Sequence, residues 1–86
     1  MKNSRKIKEL VGDTFYALKH KGVDVAKRCF EGIEPLIVSA PENIKQSFAQ
    51  TVKAFDFAMT VDMIDGYVGL FADELRRKRE DKKGNK

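Results

Sequence analysis

The sequence predicts an all-α fold: two short N-terminal helices packed on a long C-terminal helix, with a kink or break near Thr60–Gly66 if it is not continuous, and two copies paired as a helical dimer. Three observations predict it. Apolar residues recur at spacings of three and four, which place them on one face of a helix. Gly22, Gly32 and Pro35 punctuate the first half of the chain. From Pro41 to Arg79 there is no further proline, and the only glycines are Gly66 and Gly69.

The first helix is expected from Ser4 to about His20. Ile7, Leu10, Val11, Phe15 and Leu18 form its apolar stripe. Asn3 or Ser4 suits the N-cap, and Gly12 weakens the interior by roughly 0.5–1 kcal/mol relative to alanine. Lys19 and Lys21 complement the C-terminal end of the helix dipole. Gly22 fits a left-handed terminator.

Asp24 is positioned to cap a second helix from Val25, with Val25, Ala26, Cys29, Phe30 and Ile33 on its apolar face. Pro35 would remove a hydrogen bond and clash with the preceding turn, so this helix should end near Glu31–Gly32. Leu36–Val38 then form either a short helical turn begun at Pro35 or an extended connector.

Ser39-Ala40-Pro41-Glu42 matches a capping box, with Pro41 in the first turn of the long helix. At 100° per residue from Ile44, the residues Phe48, Val52, Phe55 and Met59 fall between roughly 20° and 80°. Val61, Ile64, Val68, Phe71 and Leu75 fall between roughly 180° and 260° on the same count. The stripe therefore jumps by about half a turn, far more than the drift of ~20° per heptad expected of a regular helix. Either the segment breaks near Thr60–Asp62, or one helix is covered on opposite faces, first by its own chain and then by a second copy. Met59–Met63 contains no Gly, Pro or Asn, which favours continuity. Gly66 is the expected kink site. A continuous helix would be roughly 58 Å long at 1.5 Å per residue, too long for one small chain to cover. That length motivates the dimer, with Val61, Ile64, Val68, Phe71 and Leu75 at its interface. Residues 1–79 make one helical domain, and the basic tail 80–86 lacks apolar periodicity and should fray.

At 86 residues the chain can bury only a modest core, and association is a common remedy. Hydrophobic content of 42% and charged content of 35% are too apolar for full disorder. A single cysteine, Cys29, excludes an internal disulfide scaffold. No apolar run reaches the length of a membrane span, and Lys8 and Glu9 interrupt the only N-terminal run that could serve a signal peptide. A cytoplasmic location and no membrane partner are the resulting expectations.

Catalytic and metal chemistry find little support. His20 and Cys29 stand alone of their kind, too few for a zinc site. His20 reads as a helix-end residue, and Cys29 as a small core hydrophobe lacking a base and an orienting group. Asp62, Asp65 and Asp73 share one helix side but lack the Glu-x-x-His pattern of bundle metal sites. A solvated acidic face, or a dock for the basic arm, fits them better. No enzyme activity, metal or cofactor is expected.

Charge carries the functional expectation. The net charge of +4 is segregated. Residues 1–28 hold eight Lys/Arg against three Asp/Glu, residues 29–75 two against eight, and residues 76–86 seven against two. The Arg76-Arg77-Lys78-Arg79 run, followed by Lys82 and Lys83, exceeds what helix-dipole compensation requires and fits phosphate neutralisation. Lys19, Lys21, Lys27 and Arg28 suggest a second patch. Tyr16, beside Lys19, could stack on a base, but packing in a core or interface is favoured. The expectation is a small nucleic-acid-binding regulatory protein, RNA slightly favoured over DNA, acting as an oligomer through basic patches. The alternative is a protein-binding adaptor or inhibitor that docks through its long helix and acidic middle. The partner would then be an acidic protein surface rather than nucleic acid.

Overall fold

The computed structural model describes residues 3–57 and 59–84, with side chains as far as Arg77. The chain is all-helical: α1 Ser4–His20, α2 Val23–Glu31, a 3-10 turn Glu34–Ile37, α3 Glu42–Asp56 and α4 Val61–Gly84. α1 packs chiefly on α2, and α3 on α4. α1 also meets α4, and α2 meets α3, so the two helical hairpins close into one ring of four helices.

α1 starts and ends where its pattern predicts, with Asn3 at the N-cap but no capping bond from its side chain. Gly22 has φ 109° and ψ 166°. That is an extended positive-φ conformation open to glycine alone, rather than the expected left-handed helical one. It lets the chain reverse within two residues. Gly22, not Asp24, is therefore the N-cap of α2; its carbonyl accepts from Ala26 N–H at 3.1 Å, and Asp24 lies in the first turn. α2 stops at Glu31, and Pro35 sits at the start of the 3-10 turn.

The capping box at Ser39 does not form. Val38–Ser39 belongs to the turn after Ile37. Pro41, with φ −59° and ψ 157°, is itself the N-cap. Its carbonyl accepts from the N–H groups of Ile44 and Lys45, both at 3.1 Å. Ser39 stands two residues too early to reach the first turn.

The favoured continuous helix is corrected: Pro41–Arg79 is two helices, separated at Phe57–Thr60 rather than kinked at Gly66. Thr60 makes the restart. Its Oγ1 accepts from Met63 N–H at 3.3 Å and its carbonyl accepts from Ile64 N–H at 3.0 Å, a side-chain N-cap. Asp62 in the first turn adds a favourable charge at the N-terminus. The half-turn jump of the apolar stripe now has a cause. Folding the segment back on itself brings Ile44, Phe48 and Phe55 from α3, and Ile64, Val68 and Phe71 from α4, into one core.

Phe30 of α2 lies at the centre of that core. Its ring stacks on Phe48 at 4.8 Å, tilts against Phe55 at 5.9 Å and meets Phe71 edge-on at 5.3 Å. Offset and edge-to-face pairs of this kind add about 0.5–1.5 kcal/mol each beyond the area they bury. α1 closes the core with Ile7, Val11, Ala17 and Leu18. Two threonines are fully buried. Thr14 Oγ1 donates to Leu10 O at 2.7 Å. Thr51 Oγ1 lies 3.0 Å from Ser47 O and 3.2 Å from Tyr67 O, so its single proton serves either its own helix or α4.

The stripe expected at a dimer interface is largely internal. Ile64, Val68 and Phe71 have no exposed surface, and Leu75 is half-buried against the same core. Val61 alone of the five is exposed. With both stripes covered by one chain, the uncovered length that motivated a second copy is gone.

Candidate nucleic-acid interface

α1 and α4 run antiparallel. The direction follows around the ring: Gly32 at the end of α2 lies beside Leu10 of α1, Lys27 of α2 meets Asp56 of α3, and Asn43 of α3 meets Glu74 of α4. Lys8, Val11 and Phe15 of α1 line one groove with Arg76, Leu75, Ala72 and Gly69 of α4. The groove has a volume of about 530 Å³ and a mostly apolar floor, with Lys8, Asp73 and Arg76 as its charged members. This register brings the N-terminal basic segment to the end of the bundle where α4 becomes basic. Arg5 and Lys6, three and two residues before Lys8, are exposed as well.

α3 and α4 are antiparallel as well. Thr51 meets Tyr67, and Asn43 Nδ2 donates to Glu74 Oε2 at 2.7 Å. The start of α3 is thus level with Glu74, and α4 continues past it. No residue described after Phe71 is fully buried. α4 is therefore anchored by Ile64, Val68 and Phe71, and then carries the cationic run beyond its α3 partner on helical backbone to Gly84.

Among the ten cations expected to contact nucleic acid, Arg76 and Arg77 are exposed at this end. Arg76 pairs with Asp73, and Arg77 Nη1 lies 3.2 Å from Glu74 Oε1. Exposed pairs of this kind contribute about 0–1 kcal/mol, so a phosphate can compete for either guanidinium. The side chains of Lys78, Arg79, Lys82 and Lys83 lie outside the described residues; their backbone belongs to α4.

The other four do not join that group. Lys19 stands eleven residues beyond Lys8 on α1, about 16 Å along the axis. Lys19, Lys21 and Arg28 are exposed around the α1–α2 junction and make no ion pair among the described residues. Lys27 is engaged: its ammonium lies 2.5 Å from Asp56 Oδ1 and 3.7 Å from Glu31 Oε1, tying α2 to α3. The Asp56 hydrogen bond, more than the lesser cost of burial, holds the Lys27 pKa above its ordinary value.

Of the core or interface packing expected for Tyr16, the core is corrected. Its side chain is 58% exposed beside Lys19, with its ring 4.6 Å from that of His20. Phe57 is 71% exposed at the end of α3. Cys29 is half-buried against the core.

Arg5, Lys6 and Lys8 are the residues that sequence reasoning missed. The charge count marks their segment as basic, but only the antiparallel register of α1 and α4 places it beside Arg76. Among the described residues no cluster of three or more His, Cys, Asp or Glu could hold a metal ion. None of their helices is long and apolar enough to cross a membrane. No protein-family model, no curated protein and no solved structure matches the chain.

Proposed function

We propose that the chain is a small nucleic-acid-binding regulatory protein, with RNA favoured, whose contact surface is the end of the bundle where α1 begins and α4 turns basic. The observation that supports this most is the convergence of two basic segments, far apart in sequence, at one end. Arg5, Lys6 and Lys8 from α1 and Arg76, Arg77 and the cations after them on α4 form one phosphate-binding surface. Lys19, Lys21 and Arg28 make a second, weaker contact around the α1–α2 junction. Recognition rests on the nucleic-acid backbone and shape first, because no helix-turn-helix pattern offers a base-reading helix. The proposal needs no second copy.

The test is the salt dependence of binding to a mixed RNA pool and a mixed DNA pool. Each phosphate neutralised releases counterions, so affinity should fall steeply between about 50 and 200 mM salt. Absent or salt-insensitive binding contradicts the proposal. The second reading is a protein-binding adaptor; the apolar floor of the α1–α4 groove favours it. On that reading charge reversal at Arg5 and Lys6 leaves function intact, whereas filling the groove at Gly69 abolishes it.

A further inference from the structure

We propose that the groove between α3 and α4 reads the edges of unpaired nucleobases, adenine first, while the neighbouring cationic end holds the phosphates; this rests on the nucleic-acid reading above. Gln46 and Gln50 are the only two glutamines in the chain. They stand one turn apart on the outward side of α3, both exposed, in a groove of about 290 Å³ shared with Asp73, Glu74 and Arg77 of α4. Among the described residues the side-chain amides of Gln46 and Gln50 make no hydrogen bond. In a chain as heavily charged as this one, a groove that gathers its neutral amides is a departure from the rest of the surface.

Asp73, Glu74 and Arg77 already have partners, so the two amides without one set which base is read first. A primary amide offers one donor and one acceptor side by side, which matches the N6 and N7 edge of adenine. A carboxylate accepts from a base amino group, and a guanidinium donates to base carbonyl and ring-nitrogen acceptors. Asp73 and Glu74 would repel a phosphate inside the groove, yet they suit base amino groups. The groove and the basic end adjoin at Arg77, so the two chemistries divide a nucleotide between them: base within, phosphate at the rim.

Glu74 is already held in place by Asn43 on one oxygen and Arg77 on the other, at 2.7 and 3.2 Å. Leu70, 54% exposed in the same groove, offers an apolar contact to the face of a ring. A base in a duplex cannot present its edge to a groove between two helices. The ligand is therefore single-stranded, with its bases splayed out as in most sequence-specific RNA recognition.

The experiment measures binding of the full chain to single-stranded oligoadenylate, oligocytidylate and oligouridylate of about twelve nucleotides, by fluorescence anisotropy at low salt. The wild-type chain should prefer oligoadenylate by about tenfold, the discrimination of one good bidentate contact. Gln46→Ala/Gln50→Ala should reduce that preference to within about twofold while binding to the other two oligomers persists. Both positions are exposed on a helix and alanine is the better helix former, so this variant keeps its fold. Arg5→Ala/Lys6→Ala should weaken all three oligomers alike and leave their ratio unchanged. Equal binding of the three by the wild-type chain, or an adenine preference that survives the double glutamine variant, overturns base reading but leaves the phosphate surface standing. No binding to any of them overturns the nucleic-acid reading and the inference with it.

Discussion

Around the α1–α2 junction, Lys27 reaches across to Asp56 of α3 and Glu31 of its own helix, and its charge serves to join two helices. At the opposite end, Lys8 shares a groove with Arg76, Arg5 and Lys6 precede Lys8 on the first turn of α1, and the basic stretch of α4 continues past the start of α3. The two regions hold similar residue types. They differ in what the fold puts next to each charge. At the first, a carboxylate from another helix arrives and the cation becomes structural. At the second, a further basic segment arrives, and the local acids, Asp73 and Glu74, are neighbours on the same exposed helix. Charge counted along a chain therefore says little about charge available to a ligand until the helix register is known.

Five variants test that contrast, the largest effect first. Phe30→Ala removes the ring that Phe48, Phe55 and Phe71 pack against, and should cost about 3–5 kcal/mol in denaturant unfolding. It should dissolve both regions together. A loss confined to one hairpin would mean that the core does not couple them.

Charge reversal at the basic end comes next. Arg5→Glu/Lys6→Glu/Lys8→Glu should weaken RNA binding more than about tenfold and reduce the slope of log affinity against log salt by about three. Lys19→Glu/Lys21→Glu/Arg28→Glu should change affinity by only about threefold under the same conditions. Equal losses for the two triples would erase the distinction between the regions.

Thr60→Ala removes the N-cap of α4 near the α3–α4 turn and should lower stability by about 1 kcal/mol in thermal or denaturant melts. RNA affinity at the far end should be untouched. The smallest effect concerns Lys27. Its pKa is higher in the folded chain than the unfolded value of 10.5, so its stabilisation is fully present below pH 10.5 and is lost as pH rises through the folded value. Lys27→Met should therefore make the stability profile flatter in that alkaline window and leave RNA binding near neutral pH unchanged.

How far the sequence foretold this arrangement differs from element to element. α1 was legible at both ends because five apolar residues repeat at helical spacing and Gly22 follows at once. The end of α2 was legible from Pro35, since a ring without an N–H cannot continue a helix. The break in the long segment was half legible. The jump of its stripe is real, but Met59–Met63 has no Gly, Pro or Asn to mark a turn, and the restart rests on the Thr60 hydroxyl instead. The exposed aromatic Phe57, rather than a glycine, follows the last residue of α3. The site was less legible than the fold. Arg76 and Arg77 stood out as a run, whereas Arg5, Lys6 and Lys8 depend on which way α1 lies against α4. The pairing of Lys27 was illegible for the same reason, because its partner Asp56 is distant in sequence.

The most direct measurement is an amide chemical-shift titration of the labelled full chain with a short single-stranded RNA. Shifts concentrated in Arg5–Lys8, Asn43–Gln50 and Asp73–Arg77 are the predicted result. Shifts confined to His20–Arg28, or none at RNA excess in low salt, would contradict the account that the two basic segments meet to form the binding surface.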